Sequence, residues 1–350
     1  MRRFMTRLVV RGFVPQDRLQ NRQAPVKPHR KLADFPLYSP YTLSFMADPT
    51  SQPGWLSTAA NKLRTFAYGG EDPGVTRPRV GLALSGGFAR GIAHIGVIRT
   101  LLSAGIPIDC ISGTSVGALI GAVYASGTPL EEMERIGLTT TFADFGRWTP
   151  SWIGLATNQR LEKYLKRFTA CATFEELKTP LSIATTDLNA GITVYYDSGP
   201  IAPPLRASCS YPGLFVPIQF EGRTLVDGFL TAPVPVEGCL LQSADVVIAV
   251  HLDPGNLEQP RTFTDVLSRS FNIIQRYADV AWRQQADVII EPDVQPFVWD
   301  DFTKTPQMVA AGAAAALAAI PQIREAITRH QQTATQQTHP NYSSARPEKK

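Results

Sequence analysis

At 350 residues and 44% apolar content, the chain has room for one large α/β domain with appendages, and its composition excludes a fibrous or globally disordered protein. The formal charge of +4 hides an asymmetry: residues 1–32 hold seven Arg and two Lys against one Asp, or +8, which leaves −4 for the remainder. Cys110, Cys171, Cys209 and Cys239 stand too far apart for a zinc site or a disulfide framework and read as reduced thiols, and no nucleic-acid partner is expected.

Met1 to Val14 places Arg3, Arg7 and Arg11 on one face of a helix, with Phe4, Met5, Leu8, Val9 and Phe13 on the other. Such a segment either lies on an anionic membrane surface or is a solvated terminus. Residues 15–54 are rich in Pro, Gln and Asn, Leu56 to Ala67 has helical spacing, and residues 69–74 read as a linker. The expected organisation is a basic N-terminal extension over 1–77, one folded domain over 78–330 and a disordered polar tail over 331–350. The expected location is the cytoplasm, with peripheral membrane contact through the basic N-terminus.

Val80 to Leu84 reads as a buried strand that breaks at Ser85-Gly86-Gly87 and leads into a helix ending at Gly105. A second strand, Ile108 to Ser112, runs into Gly113-Thr114-Ser115-Val116-Gly117 and another helix. A serine forced onto so sharp a turn needs neighbours without side chains on both flanks, so that strand and helix can pack beneath it. Ser115 then projects from the strand end near the positive N-terminus of the helix, as a nucleophile would.

Beyond a charged helix over Leu130 to Gly137, the aromatics Phe142, Phe145, Trp148 and Trp152 read as a lid, a lipid-facing edge or a buried cluster. Leu161 to Phe168 continues as a basic helix. A hairpin pairs Leu181–Asp187 with Thr193–Tyr196, and a helix spans Ile201 to Cys209. A second hairpin turns at Glu221-Gly222-Arg223 and rises to Asp227-Gly228. Val246 to Leu252 is a strand buried on both faces, with His251 near its end. Arg269 to Gln285 is helical, Val288 to Ile290 a short strand, and Pro306 to His330 a helix interrupted by Pro321. No run of about 18 apolar residues suggests a membrane span, and the alanine-rich Met308 to Ile320 is expected to dock on the core.

A serine nucleophile needs a base for its proton and donors for the oxyanion that develops. The amides of Gly86 and Gly87, between a strand and a helix, can point into a site at the sheet's C-terminal edge. Asp227, after a strand and before Gly228, can reach across the same edge as the base. A Ser-His-Asp triad is the rival, since His251 follows Asp227 in the order expected of an α/β-hydrolase. His94, within the first helix, reads as packed. A dinucleotide-binding reading fails because Phe88 takes the middle glycine of Gly-x-Gly-x-x-Gly.

Four stretches, Ser85-Gly86-Gly87-Phe88-Ala89-Arg90-Gly91, Gly113 to Gly117, Ala207 to Phe215 and Val226-Asp227-Gly228, together resemble the signature of the patatin-like phospholipases of bacterial type, in the same order. The resemblance implies a three-layer α/β/α sandwich with a mainly parallel central sheet. It also implies ester cleavage of phospholipid or lysophospholipid by a Ser-Asp dyad through an acyl-enzyme, without metal or organic cofactor. Carried over, Ser115 is the nucleophile, Asp227 the proton acceptor, and the backbone of Gly86, Gly87 and Phe88 the oxyanion hole. Arg90, Gly113, Gly117 and Gly228 are supporting residues. Phe88 replaces a loop glycine and Phe229 follows Asp227-Gly228 where the family has Gly or Ala. A ring at position 88 is expected to require negative φ. The alternative is a patatin-fold protein that binds a lipid or partner but is catalytically impaired by Phe88.

Overall fold

The computed structural model describes residues 77–149, 151–253, 259–260, 262–298 and 300–338. The basic N-terminal segment, the helix over Leu56 to Ala67, the linker and the last part of the tail lie outside the described residues.

Among the described residues, ten strands follow in chain order: β1 (Val80–Leu84), β2 (Cys110–Thr114), β3 (Arg147–Trp148), β4 (Ala156–Thr157), β5 (Leu181–Asp187), β6 (Ile192–Tyr196), β7 (Ile218–Phe220), β8 (Arg223–Asp227), β9 (Val246–Val250) and β10 (Val288–Ile290). Among the described residues, eight of them form one sheet in the order β10-β9-β1-β2-β5-β8-β7, with β6 on β5, and β3 and β4 make a separate hairpin. Strands β10, β9, β1, β2 and β5 pair in parallel, whereas the pairings of β5 with β6, β5 with β8 and β8 with β7 are antiparallel. The sheet is therefore mixed and mostly parallel.

Alternation along the central strands divides the interior in two. Leu82, Leu84, Ile111, Ile183, Ile248 and Val250 face one side, and Ala83, Cys110, Val247 and Ala249 the other. The large side chains meet helices α1 (Ala93–Ser103) and α2 (Val116–Ala125). On the opposite side, small residues let a helix approach closely: a Cβ on Gly81 would stand 2.8 Å from the Cβ of Cys239. With helices on both faces, the fold is a three-layer α/β/α sandwich.

The remaining helices are α3 (Leu130–Thr139), α4 (Phe142–Phe145), α5 (Arg160–Leu165), α6 (Ala202–Ser208), α7 (Val236–Leu241), α8 (Phe263–Gln285) and α9 (Thr305–Thr338). Helix α9 docks on α1, where a Cβ on Gly96 or Gly312 would lie 1.9 Å from a carbonyl oxygen of the other helix. Its length and composition would suit a membrane span, but this interlocking packs it against the domain. It runs without a break through Pro321 and on to Thr338, so the expected interruption at Pro321 and the expected disorder from residue 331 are both corrected over this stretch. Pro321 faces solvent, and the carbonyl of Leu317 that it leaves without an amide partner is on a solvent-exposed residue where water can serve it. Strand β2 starts two residues later than its sequence suggests, because Asp109 instead receives the Val80 amide at 2.7 Å and pairs with Arg77.

Candidate active site

The turn between β2 and α2 is built as the Gly-x-Ser-x-Gly spacing requires. Ser115 holds φ 54°, ψ −122°, a conformation that costs about 1–3 kcal/mol and survives only if its surroundings fix it. A Cβ on Gly113 would fall 2.5 Å from the backbone of Ala118, and one on Gly117 would fall 2.2 Å from the Leu84 carbonyl oxygen. Both glycines are therefore needed for strand and helix to cross so closely. The Ser115 amide donates to Ser208 Oγ at 2.8 Å, and that hydroxyl donates in turn to the Ala184 carbonyl at 2.7 Å.

Asp227 reaches Ser115 because of how β5 uses its edges. Register overlaps force β6 onto the edge opposite both β2 and β8, so β2 and β8 share the other edge. They meet there end to end, with Thr114 beside Ala184 and Asp227 beside Thr185. The next residue of one strand and the last of the other are thereby juxtaposed. A Cβ on Gly228 would lie 2.5 Å from the Ala184 carbonyl oxygen, so the chain can leave β8 at this crowded point only as glycine.

The Asp227 side chain is buried next to Ser115, and the Phe229 amide donates to its Oδ1 at 3.0 Å. Burial pushes its pKa up to about 7; the Phe229 amide and then the Ser115 hydroxyl oppose the rise. Its backbone is fixed on both sides, by its own amide to Ser210 (3.0 Å) and by Thr186 Oγ1 to its carbonyl (2.9 Å).

Gly86, Gly87 and Phe88 border the same cavity. The Gly86 amide points at the Pro233 carbonyl, 3.4 Å away, whereas the Gly87 amide has no acceptor among the described residues. Phe88 overturns the expected negative φ: its φ is 54°, the left-handed value a glycine would take. That geometry costs about 1–2 kcal/mol for a residue with a Cβ. The ring is accommodated edge-on against Phe145 at 6.3 Å, and Phe145 in turn packs on Phe142, Tyr164 and Phe302. Such contacts, at about 0.5–1.5 kcal/mol each, are large enough to offset the strain.

The glycine loop is held from behind. The Ser85 amide donates to Val250 at 3.1 Å and its hydroxyl accepts from the Leu252 amide at 3.1 Å. His94 is wholly buried, which depresses its pKa to about 4, so the ring is neutral and donates through Nε2 to the Ser85 carbonyl at 2.9 Å. Arg90 Nε donates to the Phe297 carbonyl at 2.9 Å, tying the turn after the loop to the segment before α9.

A cavity of about 550 Å³ joins Ser115 and Asp227 to apolar walls from Trp148, Leu155, Leu214 and Leu267. Helix α8 covers it, with Gln275 donating to the Phe229 carbonyl. His251 lines the cavity too, but its Nδ1 stands 3.1 Å from both Glu291 Oε1 and Arg283 Nη2, and the hydrogen bonds of Asp227 come from elsewhere. The triad arrangement is absent among the described residues. All four cysteines are free, and among the described residues no three His, Cys, Asp or Glu side chains converge as a metal would require.

Ser208, Ser210, Thr186 and Gln275 carry structural work here that the sequence reading did not assign. Ser208 and Ser210 lie within the quoted Ala207 to Phe215 motif, so their position was visible while their partners were not.

Residues 82–240 match the patatin-like phospholipase family. An uncharacterised NTE family protein of Mycobacterium tuberculosis is 35% identical over 216 residues, covering 59% of this chain and 60% of the relative. A protein named lysophospholipase nte1 in Aspergillus fumigatus is 33% identical over 208 residues, 57% of this chain but only 13% of that far longer protein. Among solved structures, VipD from Legionella pneumophila aligns over 73% of this chain and 68% of its own, at 14% identity and a TM-score of 0.44. The chain thus resembles the patatin-like phospholipases over residues 82–240, and it spans about three fifths of the mycobacterial relative's length.

Proposed function

We propose that the chain is a serine acyl hydrolase that cleaves carboxylic ester bonds of phospholipids or lysophospholipids, with Ser115 as nucleophile and Asp227 as its base. The observation that supports this reading is the juxtaposition of Ser115, held at a strained turn, with the buried carboxylate of Asp227 where β2 and β8 meet on β5, beside a Gly87 amide with no acceptor among the described residues. Relatives named as lysophospholipases support the substrate class. With its four thiols free, the enzyme is proposed to work in the reducing cytoplasm, in peripheral contact with membrane.

In this mechanism Ser115 Oγ bonds to the ester carbonyl carbon as its proton passes to Asp227. The carbonyl electrons move onto oxygen, where the Gly87 amide and its loop neighbours receive the charge. The C–O bond to the alcohol breaks, and that alcohol leaves with the proton from Asp227. Water then attacks the acyl-enzyme, gives a proton to Asp227, and the acid departs as Ser115 recovers its proton. A carboxylate whose pKa lies near 7 is matched to such two-way proton transfer.

A non-catalytic lipid-binding protein was the alternative, on the premise that Phe88 deforms the loop. With φ at 54° the backbone at position 88 follows the course a glycine would give, which favours the catalytic reading over that alternative. Hydrolysis of p-nitrophenyl esters and lysophosphatidylcholine by wild type and Ser115→Ala tests the proposal, with a loss of about 10³-fold or more expected. Equal rates for the two, or an inert wild type that gains activity as Phe88→Gly, would overturn it.

A further inference from the structure

Two elements that line the cavity also carry apolar side chains that no described residue covers. The loop joining β3 to β4 carries Trp152, fully exposed at 105%, and Ile153, exposed at 66%. Trp148 and Leu155, at the base of the same hairpin, line the cavity itself. Across the mouth, the first turns of α8 expose Phe263 and Val266, while Leu267 turns inward onto Gly213 and the cavity wall.

The hairpin presents its indole from a fixed platform. The amides of Leu155 and Ala156 both donate to the Leu214 carbonyl, at 3.0 and 2.8 Å, and the Val216 amide donates back to Ala156 at 2.9 Å. Gly154 sits so close to this segment that a Cβ would stand 2.6 Å from the Val216 nitrogen. Trp148 stacks on Phe142, which contacts Phe145 and through it Phe88 of the glycine loop. An exposed tryptophan on so braced a loop has been placed, not left over.

The geometry points to a phospholipid bilayer as the occupant of this surface: Trp152 and Ile153, with Phe263 and Val266 opposite, form a docking edge that sets the cavity mouth on the membrane. This deepens the lipid-ester reading and rests on it. Three observations select a bilayer over a protein. A bilayer resting on both flanking elements can pass a lipid onto the apolar wall that Trp148, Leu155 and Leu267 form toward Ser115. Arg147, exposed at the hairpin base, has no ion-pair partner among the described residues and suits a phosphodiester headgroup. An indole with its N–H is the side chain that settles at the junction of headgroup and acyl chain.

The test separates docking from catalysis by using the full chain as Ser115→Ala with vesicles of phosphatidylcholine and phosphatidylglycerol. The fluorescence of Trp152, taken as the difference between Ser115→Ala and Ser115→Ala/Trp152→Phe, is expected to be quenched by lipids brominated along the acyl chain. A bound protein whose difference signal is unquenched would overturn the proposal and assign binding to the basic N-terminus. Self-association abolished by Trp152→Ser/Ile153→Ser would overturn it in favour of a second copy of the chain. In the otherwise wild-type protein, Trp152→Ser/Ile153→Ser should leave hydrolysis of a soluble short-chain ester unchanged and lower hydrolysis of vesicle lipid roughly tenfold or more. A parallel fall on both substrates also counts against docking. Failure of the wild type on every ester would reject the catalytic reading alone, because the quenching result stands without turnover.

Discussion

Asp227→Asn is expected to stabilise the protein at alkaline pH while removing its activity. Burial raises the folded-state pKa of Asp227 to about 7, against an ordinary value near 3.9. Folded protein therefore binds this proton more tightly than unfolded chain, and the associated stability is fully present below about pH 4 and lost as pH rises through about 7. The whole difference corresponds to roughly 4 kcal/mol, of which roughly 3 kcal/mol should appear between pH 5 and pH 8.5. Asparagine keeps the shape and carries no charge at either pH, so its advantage over wild type should grow by that amount across the interval. Urea denaturation of both proteins at the two pH values measures it directly, and taking the difference cancels the other titrating groups. The same ionisation should set the acid limb of kcat/KM, with the wild-type rate falling about tenfold per pH unit below about pH 7. A stability difference flat in pH, or an acid limb near pH 4, would refute the claim that burial controls this carboxylate.

Ser208→Ala removes the acceptor for the Ser115 amide and the donor to Ala184, and should lower kcat about 10- to 100-fold with little change in KM; Ser208→Thr, which keeps the hydroxyl, should recover part of the loss in the same steady-state assay. His251→Ala should keep ester hydrolysis within about tenfold of wild type, because its ring engages Glu291 and Arg283; a loss of several orders of magnitude would restore the triad. Phe88→Ala keeps the left-handed backbone and loses the ring contact with Phe145, so it should be less stable than Phe88→Gly by about 1 kcal/mol in chemical denaturation. The opposite order would contradict positive φ at this position.

What could be read from the sequence was local. The turn at Ser115 follows from two glycines whose missing side chains make the crossing of strand and helix sterically feasible, and the structure bears out that reason at both positions. The buried parallel strands β1 and β9 announced themselves by unbroken apolar runs, and the hairpin into Asp227 by Glu221-Gly222, where both residues take positive φ. The start of α8 was also legible, though it was placed six residues late: Thr262 and Asp265 form a reciprocal cap, each side chain accepting from the other's amide. What was not legible depends on distant partners. No local rule places Phe88 at φ 54°, since the preference of any residue with a Cβ runs the other way and contacts with distant residues such as Phe145 of α4 are what favour it. Nor does any spacing reveal that β2 and β8 share an edge of β5, which is a fact about three registers at once.

That shared edge also bears on why a carboxylate could serve without histidine. An aspartate in water is ionised at neutral pH but too weak a base to take a hydroxyl proton readily, and enzymes commonly interpose an imidazole whose pKa is near 7. Here β8 enters the sheet antiparallel and ends against the tip of β2, so the residue that terminates it is placed beside Ser115 and sealed from solvent in one step. The sealing raises the carboxylate to about 7, the range an imidazole would occupy. Position and basicity thus have one cause, and they should fail together: a substitution that lets water reach Asp227 without moving it, such as Gln275→Ala on α8, should shift the acid limb of the rate profile downward as well as slow the reaction. A slower enzyme with an unshifted limb would show that Gln275 only positions substrate.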